Sequence, residues 1–484
     1  MNPLNITGKQ VRYLGYPQGP VVKMAMHAIN THYAQTALTD ALALLTDVLA
    51  QPEAYLQHPH LHGVAAALWH LSHPPAPSMV ALNPEAIAFS VFGQALIEPG
   101  AMQQMEQAAR LPISVAAALM PDAHSGYGLP IGGVLATTNA VIPYGVGVDI
   151  GCRMCLSLFA INPTQLAQKT QQFARHLHDA TRFGAGALWQ TPAEHAVLDH
   201  DLFNQLPLLK SLQRRAQQQL GTSGSGNHFA EFGRVTIIQK DDVLGVEPGL
   251  YVGFLTHSGS RALGANIADH YTKLAMQMRQ LPTPAQHLAW LSMNEAEGQE
   301  YWLAMNLAGD YASACHHVIH QKIATQLGER PVRMVENHHN FAWKEMVNGT
   351  ECIVHRKGAT PAGKNVLGII PGSMTANGYI VKGRGYAEAL NSAAHGAGRQ
   401  MSRTKALANI TKQQLRQHLE QCGVTLLAGG LDEAPFAYKD INTVMQSQTS
   451  LIDVVGTFTP KIVLMDRAET RLHRRTKHRT PEGE

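Results

Sequence analysis

Six short segments pair a metal-binding or nucleophilic side chain with glycine-rich or otherwise constrained backbone. MPDAHSGYGLPIGG holds Asp122 and His124, and GVGVDIGCRM holds Asp149 and Cys152 at spacing i, i+3. GTSGSGNHFAE offers His228, FLTHSGSRALG offers His257, ENHHNFAWKE offers His338 and His339, and NSAAHGAGR offers His395. Singly, each has an ordinary explanation: a loop aspartate near a buried cysteine, two surface histidines, a turn histidine that caps a helix. Together they form a mixed set of carboxylate, thiolate and imidazoles, mostly on tight turns. A thiolate can bridge two cations, so such a set can hold two metals and leave positions open. Open positions mark a catalytic rather than a structural site. The mixed hardness of the donors accepts Mn²⁺, Zn²⁺ or Co²⁺.

The segment NSAAHGAGRQMSRTKA places a bulky titratable ring among small residues. Gly396 and Gly398 permit positive φ and close approach to a ligand. Arg399, Arg403 and Lys405 follow, and on a helix positions 399 and 403 would share a face. A turn opening into a basic helix makes an anion cradle. Inside it, His395 reads as a nucleophile, a base or a metal ligand.

The whole chain must position these groups. It has 484 residues, 45% of them hydrophobic, enough for a sizeable core. Charged residues make up 15% and the formal net charge is +3, so nucleic-acid contact has to come from local patches rather than bulk charge. Of the 26 histidines, those at 58, 60, 62, 70 and 73 fit no ligand motif. The five cysteines are too few for a disulfide framework. The start, MNPLNITGKQ, lacks an apolar signal core, and no run reaches the length of a membrane span. The expectation is a cytoplasmic protein without membrane contact, its cysteines reduced.

Residues 1–80 read as a separate helical extension: TALTDALALLTDVLA has apolar residues at helical spacing, and a Pro-rich break follows at 74–77. From residue 82 the texture changes. Strand-like runs (IGGVLATTNAV, VTIIQ, LYVGFLTHSGS, ECIVHRKGA, NVLGIIPGSM, GYIVKG) alternate with helical stretches (PTQLAQKTQQFARHLHDA, LLKSLQRRAQQQLG, ANIADHYTKLAMQMRQ). There is no βαβ regularity, no G-x-G-x-x-G after an opening strand and no Walker A sequence. This predicts an α+β fold with largely antiparallel sheets and surrounding helices. The basic tail at 467–484 suits contact with polyanions.

In order along the chain, PDAHSGYGLPIGG, GVGVDIGC, GTSGSGNHF, HSGSRALG, HHNFAWKE, VHRKGA, IIPGSM and SAAHGAGRQMSRTKA resemble the RtcB family of RNA ligases, over about residues 82–466. The resemblance implies an RtcB-like catalytic domain at 82–466. It implies two Mn²⁺ ions bridged by Cys152, with Asp149 and His228 on one ion and His257 and His339 on the other. His339 is chosen over His338 because it directly precedes Asn340. It implies GTP as the nucleotide and His395 as the residue that becomes guanylylated, with Asp122 as an active-site acid or base. Asn227, Glu231, Asn340, Ser373, Gly396, Gly398, Arg399 and Tyr438 match positions around the nucleotide. The implied reaction joins RNA 3′-phosphate or 2′,3′-cyclic phosphate ends to 5′-hydroxyl ends, in RNA repair or tRNA splicing, with an activating partner protein in some cases. Arg399, Arg403, Lys357 and Lys382 are candidates for holding RNA phosphates.

The chain also departs from the family pattern. Met465 and Asp466 stand where a Lys-Gly pair usually lies by the guanine. PGSMTANG puts Thr375 for a glycine and Gly378 for a serine. Lys461 is the nearest substitute cation. Arg153 follows Cys152 where a glycine is usual, a change expected to crowd or recharge the site. These departures keep a second reading open: an RNA-end-binding paralogue with lost or altered nucleotidyl transfer.

Overall fold

The computed structural model describes residues 4–73 and 78–467. The Pro-rich break at 74–77 and the tail from 468 onward lie outside the described residues. The first helices are α1 (Gly8–Tyr13), α2 (Pro20–His32), α3 (Leu38–Ala50) and α4 (His62–Ser72). Thr7 and Gln10 form a reciprocal capping box at α1, and Pro20 opens α2 where its missing N–H costs nothing. In α3 the buried residues Ala41, Leu45 and Val48 recur at helical spacing. They join Ile6, Val11, Ile29, Leu61 and Ala65 in a core drawn from these helices and the turns between them, apart from Ala296 at its margin.

The strands that follow are β1 (Ser114–His124), β2 (Ile131–Thr137), β3 (Arg153–Phe159), β4 (Phe229–Ile237) and β5 (Gly249–Ser258). Then come the long helix α5 (Ala296–Leu327) and the strands β6 (Arg333–His338), β7 (Asn340–Val347), β8 (Thr350–Lys357) and β9 (Leu367–Ile370). The last are β10 (Gly378–Gly383), β11 (Ser392–Ala394), β12 (Thr425–Ala428) and β13 (Ile452–Met465). One sheet runs β6–β3–β5–β4–β13–β10–β9, with β12 beside the C-terminal part of β13. The other runs β7–β8–β2–β1 and ends on the short strand Ser90–Val91. Only that last pairing and the β12–β13 pairing are parallel within these two sheets, so the expected antiparallel α+β architecture is present.

Strand β3 is buried at every position because both its faces are covered. Met154, Leu156 and Leu158 pack with Val235, Ile380 and Phe458. The alternate residues Arg153 and Ser157 point to α5, where Arg153 donates to the Gly309 carbonyl and Ser157 meets His320. The 32-residue α5 was not evident as a single element in the sequence. It buries residues on several sides, so no clean apolar stripe marks it.

Arg356 on β8 ties the second sheet to β11. It is fully buried, pairs with both carboxylate oxygens of Glu345 at 2.5 and 3.0 Å, and donates to Ser392 Oγ and the Leu390 carbonyl. Arg356→Leu would leave Glu345 and two buried acceptors without their donor. The expected cost is about 3 kcal/mol in denaturant unfolding.

Candidate functional site

Strand register brings the chemistry-bearing residues together. Cys152 lies just before β3, His228 just before β4, His257 near the end of β5, and His339 between β6 and β7. In the ladders His257 stands opposite both Met154 and Phe229, and Arg153 stands opposite His338. Four strand ends therefore meet in one row. His339 N–H donates to the Cys152 carbonyl at 2.9 Å, and Gly151 N–H to the Asn340 carbonyl at 2.8 Å.

The side chains form two groups that share one sulfur. Cys152 Sγ lies 3.4 Å from His228 Nε2, which lies 2.9 Å from Asp149 Oδ2. On its other side Cys152 Sγ lies 3.2 Å from His257 Nε2, which lies 3.2 Å from His339 Nε2. The tautomers follow from the outer contacts. His228 Nδ1 meets the Ser223 carbonyl at 2.7 Å and His257 Nδ1 the Asn227 carbonyl at 3.0 Å. A carbonyl only accepts, so each ring donates there and presents a bare Nε2 inward. Nitrogen, sulfur and carboxylate donors thus face one another with more lone pairs than protons between them, while His339 Nδ1 is buried without a partner. Burial, followed by the neighbouring imidazole of His228, lowers the pKa of His257 to about 3. Burial and then the charge of Asp149 push the Cys152 thiol well up. For Asp149 burial acts upward, but His228, Cys152 and Arg261 together outweigh it and bring the carboxyl down to about 2. The donor set fits cations held on either side of the sulfur, where a metal would itself ionise the thiol.

His395 stands beside this cluster, its ring centroid 5.0 Å from that of His339. Asp122 lies behind it, fully buried and outside the cavity lining. Asp122 Oδ2 accepts from the backbone N–H of His395 at 3.0 Å, from that of Gly396 at 3.2 Å and from His395 Nδ1 at 2.6 Å. The carboxylate therefore fixes the proton on Nδ1 and leaves Nε2 with its lone pair. Gly398 has φ +72°, and a Cβ there would lie 2.1 Å from the Asp122 carbonyl oxygen.

A cavity of about 830 Å³ contains Asp149, Cys152, His228, His257, His339 and His395. Asn227, Glu231, Asn340, Ser373, Gly396, Gly398, Arg399 and Tyr438 also line it. Asn340 Oδ1 accepts from Gly358 N–H at 2.8 Å, and burial raises the pKa of Glu231 well above normal. Arg399 lies ahead of the seven-residue helix Arg403–Asn409, so the expected shared helix face with Arg403 is not formed. Instead both cations converge on Glu433. Arg399 meets its Oε2 at 3.1 Å and Arg403 its Oε1 at 2.6 Å, and the Tyr438 hydroxyl donates to Oε2. Glu433 was missed in the sequence, where only its place in the loop GGLDEAPFAY hints at a role. His124 also lines the cavity, and burial lowers its pKa to about 4.

Three sequence expectations fall elsewhere. Arg153 does not crowd the cluster: it turns toward α5 and pairs with Glu336 at 3.3 Å. Lys382 is paired with Asp241 at 2.5 Å and does not line the cavity, whereas Lys357 does. Lys461 lies beside Gly423, while Met465 and Gly378 line the cavity with Val463 and Met374.

The fold and its cavity define an α+β protein with a Cys/His/Asp cluster next to a carboxylate-held histidine. The sequence matches the family described as tRNA-splicing ligase RtcB over residues 104–206 and 194–466. RNA-splicing ligase RtcB of Escherichia coli (strain K12) is 33% identical over 393 residues, covering 75% of this chain and 93% of that protein. The tRNA-splicing ligase RtcB of Thermococcus kodakarensis is 30% identical over 418 residues, covering 71% and 86%. RNA-splicing ligase RtcB homolog 1 of Entamoeba dispar is 31% identical over 438 residues, covering 76% and 82%. The chain belongs to the RtcB family. No helix among the described residues is long and apolar enough to cross a membrane.

Two glycine substitutions separate backbone strain from crowding. At Gly328, φ +68° with nothing within 4 Å of a built Cβ, alanine should cost about 1 kcal/mol. Gly398→Ala adds the collision with Asp122 and should cost at least about 2 kcal/mol more. Paired denaturant titrations read the difference.

Proposed function

We propose that this protein is an RNA ligase that joins a 3′-phosphate or 2′,3′-cyclic phosphate end to a 5′-hydroxyl end, consuming GTP through a guanylyl group carried on His395. The carrying observation is the His395–Asp122 pair. Its geometry leaves a bare Nε2 beside a cluster whose donors fit metal ions.

In this reading, Nε2 of His395 attacks the α-phosphorus of GTP. A P–N bond forms, and the P–O bond to pyrophosphate breaks. Asp122 keeps the Nδ1 proton in place and offsets the positive charge the ring acquires, so it acts by holding the nucleophile. An oxygen of the RNA 3′-phosphate then attacks the same phosphorus, and the P–N bond breaks to restore the imidazole. The 5′-hydroxyl of the second strand attacks the activated 3′-phosphorus, GMP departs, and a 3′,5′ phosphodiester results. A cyclic phosphate end is opened to the 3′-phosphate before this sequence begins. Two Mn²⁺ ions, held by Asp149, Cys152 and His228 and by Cys152, His257 and His339, would polarise phosphoryl oxygens and neutralise developing charge. Asn227, Asn340, Ser373 and the glycines around His395 would hold the nucleotide. Lys357, Arg399 and Arg403 are the cavity-lining cations suited to phosphates.

The base end of the cavity supports weakened guanine selection. Met465, Val463, Met374 and Gly378 offer no polar side-chain donor, Thr375 is turned to His418 at 3.1 Å, and the cavity-lining Glu231 stands opposite Val463 on the paired strand. A charged donor to a carbonyl oxygen contributes about 1.5–3 kcal/mol. Wild-type protein is therefore expected to prefer GTP over ATP less than relatives that carry a lysine there. Met465→Lys, alone or with Gly378→Ser, should raise GTP preference about tenfold or more in a competition assay, with metal content unchanged.

The deciding experiment incubates the protein with Mn²⁺ and α-labelled GTP or ATP, then denatures it. Covalent, acid-labile label is expected on wild type. His395→Ala should lose both label and ligation while keeping its metal. A variant still ligating near the wild-type rate would remove His395 from the nucleophile's role. Cys152→Ala should weaken both metals together, and His257→Ala chiefly one. Full metal occupancy in the Cys152 variant would rule out the sulfur bridge. Asp122→Asn should slow labelling about 10²- to 10⁴-fold by releasing the tautomer, with metal content unchanged.

A further inference from the structure

The opposite face of β3 carries a second Cys/His cluster, outside the cavity. Cys155 on β3 meets His316 and His320 of α5, which share a helix face at spacing i, i+4. All three are buried, and their ligand atoms lie within 4.8 Å of one another. The outer contact sets the tautomer of His316, while His320 can take either. His316 Nε2 meets the Ser258 carbonyl at 3.2 Å, so it must donate there and leaves Nδ1 bare. His320 Nδ1 meets Ser157 Oγ at 2.7 Å, an oxygen able to accept its proton and leave Nε2 bare. Those two nitrogens approach Thr256 Oγ at 2.6 and 2.8 Å, and with the His320 proton on Nδ1 one hydroxyl has a single proton to offer two imidazoles.

We propose that Cys155, His316 and His320 form a closed structural site for a Zn²⁺-class cation, with Thr256 Oγ as the nearest oxygen donor. One thiolate and two imidazoles are the donors such an ion takes, and hydroxyl and carbonyl partners behind each imidazole are the usual means of aiming it. On binding, the Cys155 S–H proton is released to solvent, Thr256 gives up its hydrogen bond to His316, and the His320 proton resides on Nδ1 toward Ser157. The ion would clamp α5 to β3 and β5 directly behind His257 and Cys152. It is separate from the two ions proposed for the cavity.

The test uses Co²⁺ as a spectroscopic substitute for Zn²⁺ in the full-length protein. Cys152→Ser removes the cavity thiolate, so any remaining thiolate-to-cobalt absorption has to come from another cysteine. The expected result is about one such equivalent per chain in Cys152→Ser. It should disappear in Cys152→Ser combined with Cys155→Ser. Ser157→Ala should weaken retention about tenfold through the lost outer contact. A folded Cys152→Ser protein without the cobalt band would overturn the site and leave a purely hydrogen-bonded network. If that variant does not fold, zinc retained after chelation is compared between wild type and Cys155→Ser. Equal zinc in both would overturn the proposal on its own. Neither readout depends on ligation or nucleotide labelling, so failure here leaves the proposed activity standing.

Discussion

Two backbone hydrogen bonds fix the site: His339 N–H to the Cys152 carbonyl, and Gly151 N–H to the Asn340 carbonyl. Chain that belongs to one sheet through β6 becomes part of the other through β7, and the turn between them is pinned on both sides. Cys152 cannot shift without disturbing His339. The ladders β3–β5 and β5–β4 then place His257 and His228 against the same sulfur by register alone. A slip of one residue would turn these side chains to the opposite face.

The cavity gathers charge in two different ways. Around Cys152 the protein brings nitrogen, sulfur and carboxylate lone pairs together with few protons to share among them, and leaves His339 Nδ1 buried without a partner. Around Glu433 the groups compensate one another. Arg399 and the Tyr438 hydroxyl donate to its buried carboxylate, Arg403 forms an ion pair with it, and Arg403 also donates to Asp432 at 2.8 Å. The first arrangement offers donors that fit a cation, and the second ties a loop to the cavity wall. His395 falls between them. Its carboxylate partner is inside the protein, and its ring lines the cavity.

Alternation along β3 keeps two chemistries apart. Cys152 enters the cavity at the start of the strand, while Arg153, Cys155 and Ser157 face α5. The guanidinium that replaces a glycine beside the ligand set therefore spends its charge on Glu336 and the Gly309 carbonyl, away from the cavity. Position in the primary structure suggested interference, and the pleat removed it. The same logic separates Met465 from Lys461. The register shift in β13 between Pro460 and Ile462 and the pairing with β4 carry Met465 to the cavity, and Lys461 ends beside Gly423.

The sequence by itself determined the ingredients and the class. Glycine-flanked motifs in fixed order marked Asp149, Cys152, His228, His257, His339 and His395, and alternating strand runs without βαβ regularity marked an antiparallel α+β fold. These are local properties: turn glycines and period-two patterns are written in neighbouring residues. Tertiary structure decided the rest because it depends on pairs far apart in the chain. The contact between Asp122 and His395 spans 273 residues, and no local pattern distinguishes a buried orienting carboxylate from a reacting one. Glu433 gained its part only when its loop met Arg399 and Arg403. Helix α5 is buried on several sides, so its period was blurred, and the Cys155–His316–His320 cluster it completes exists only where that helix crosses β3.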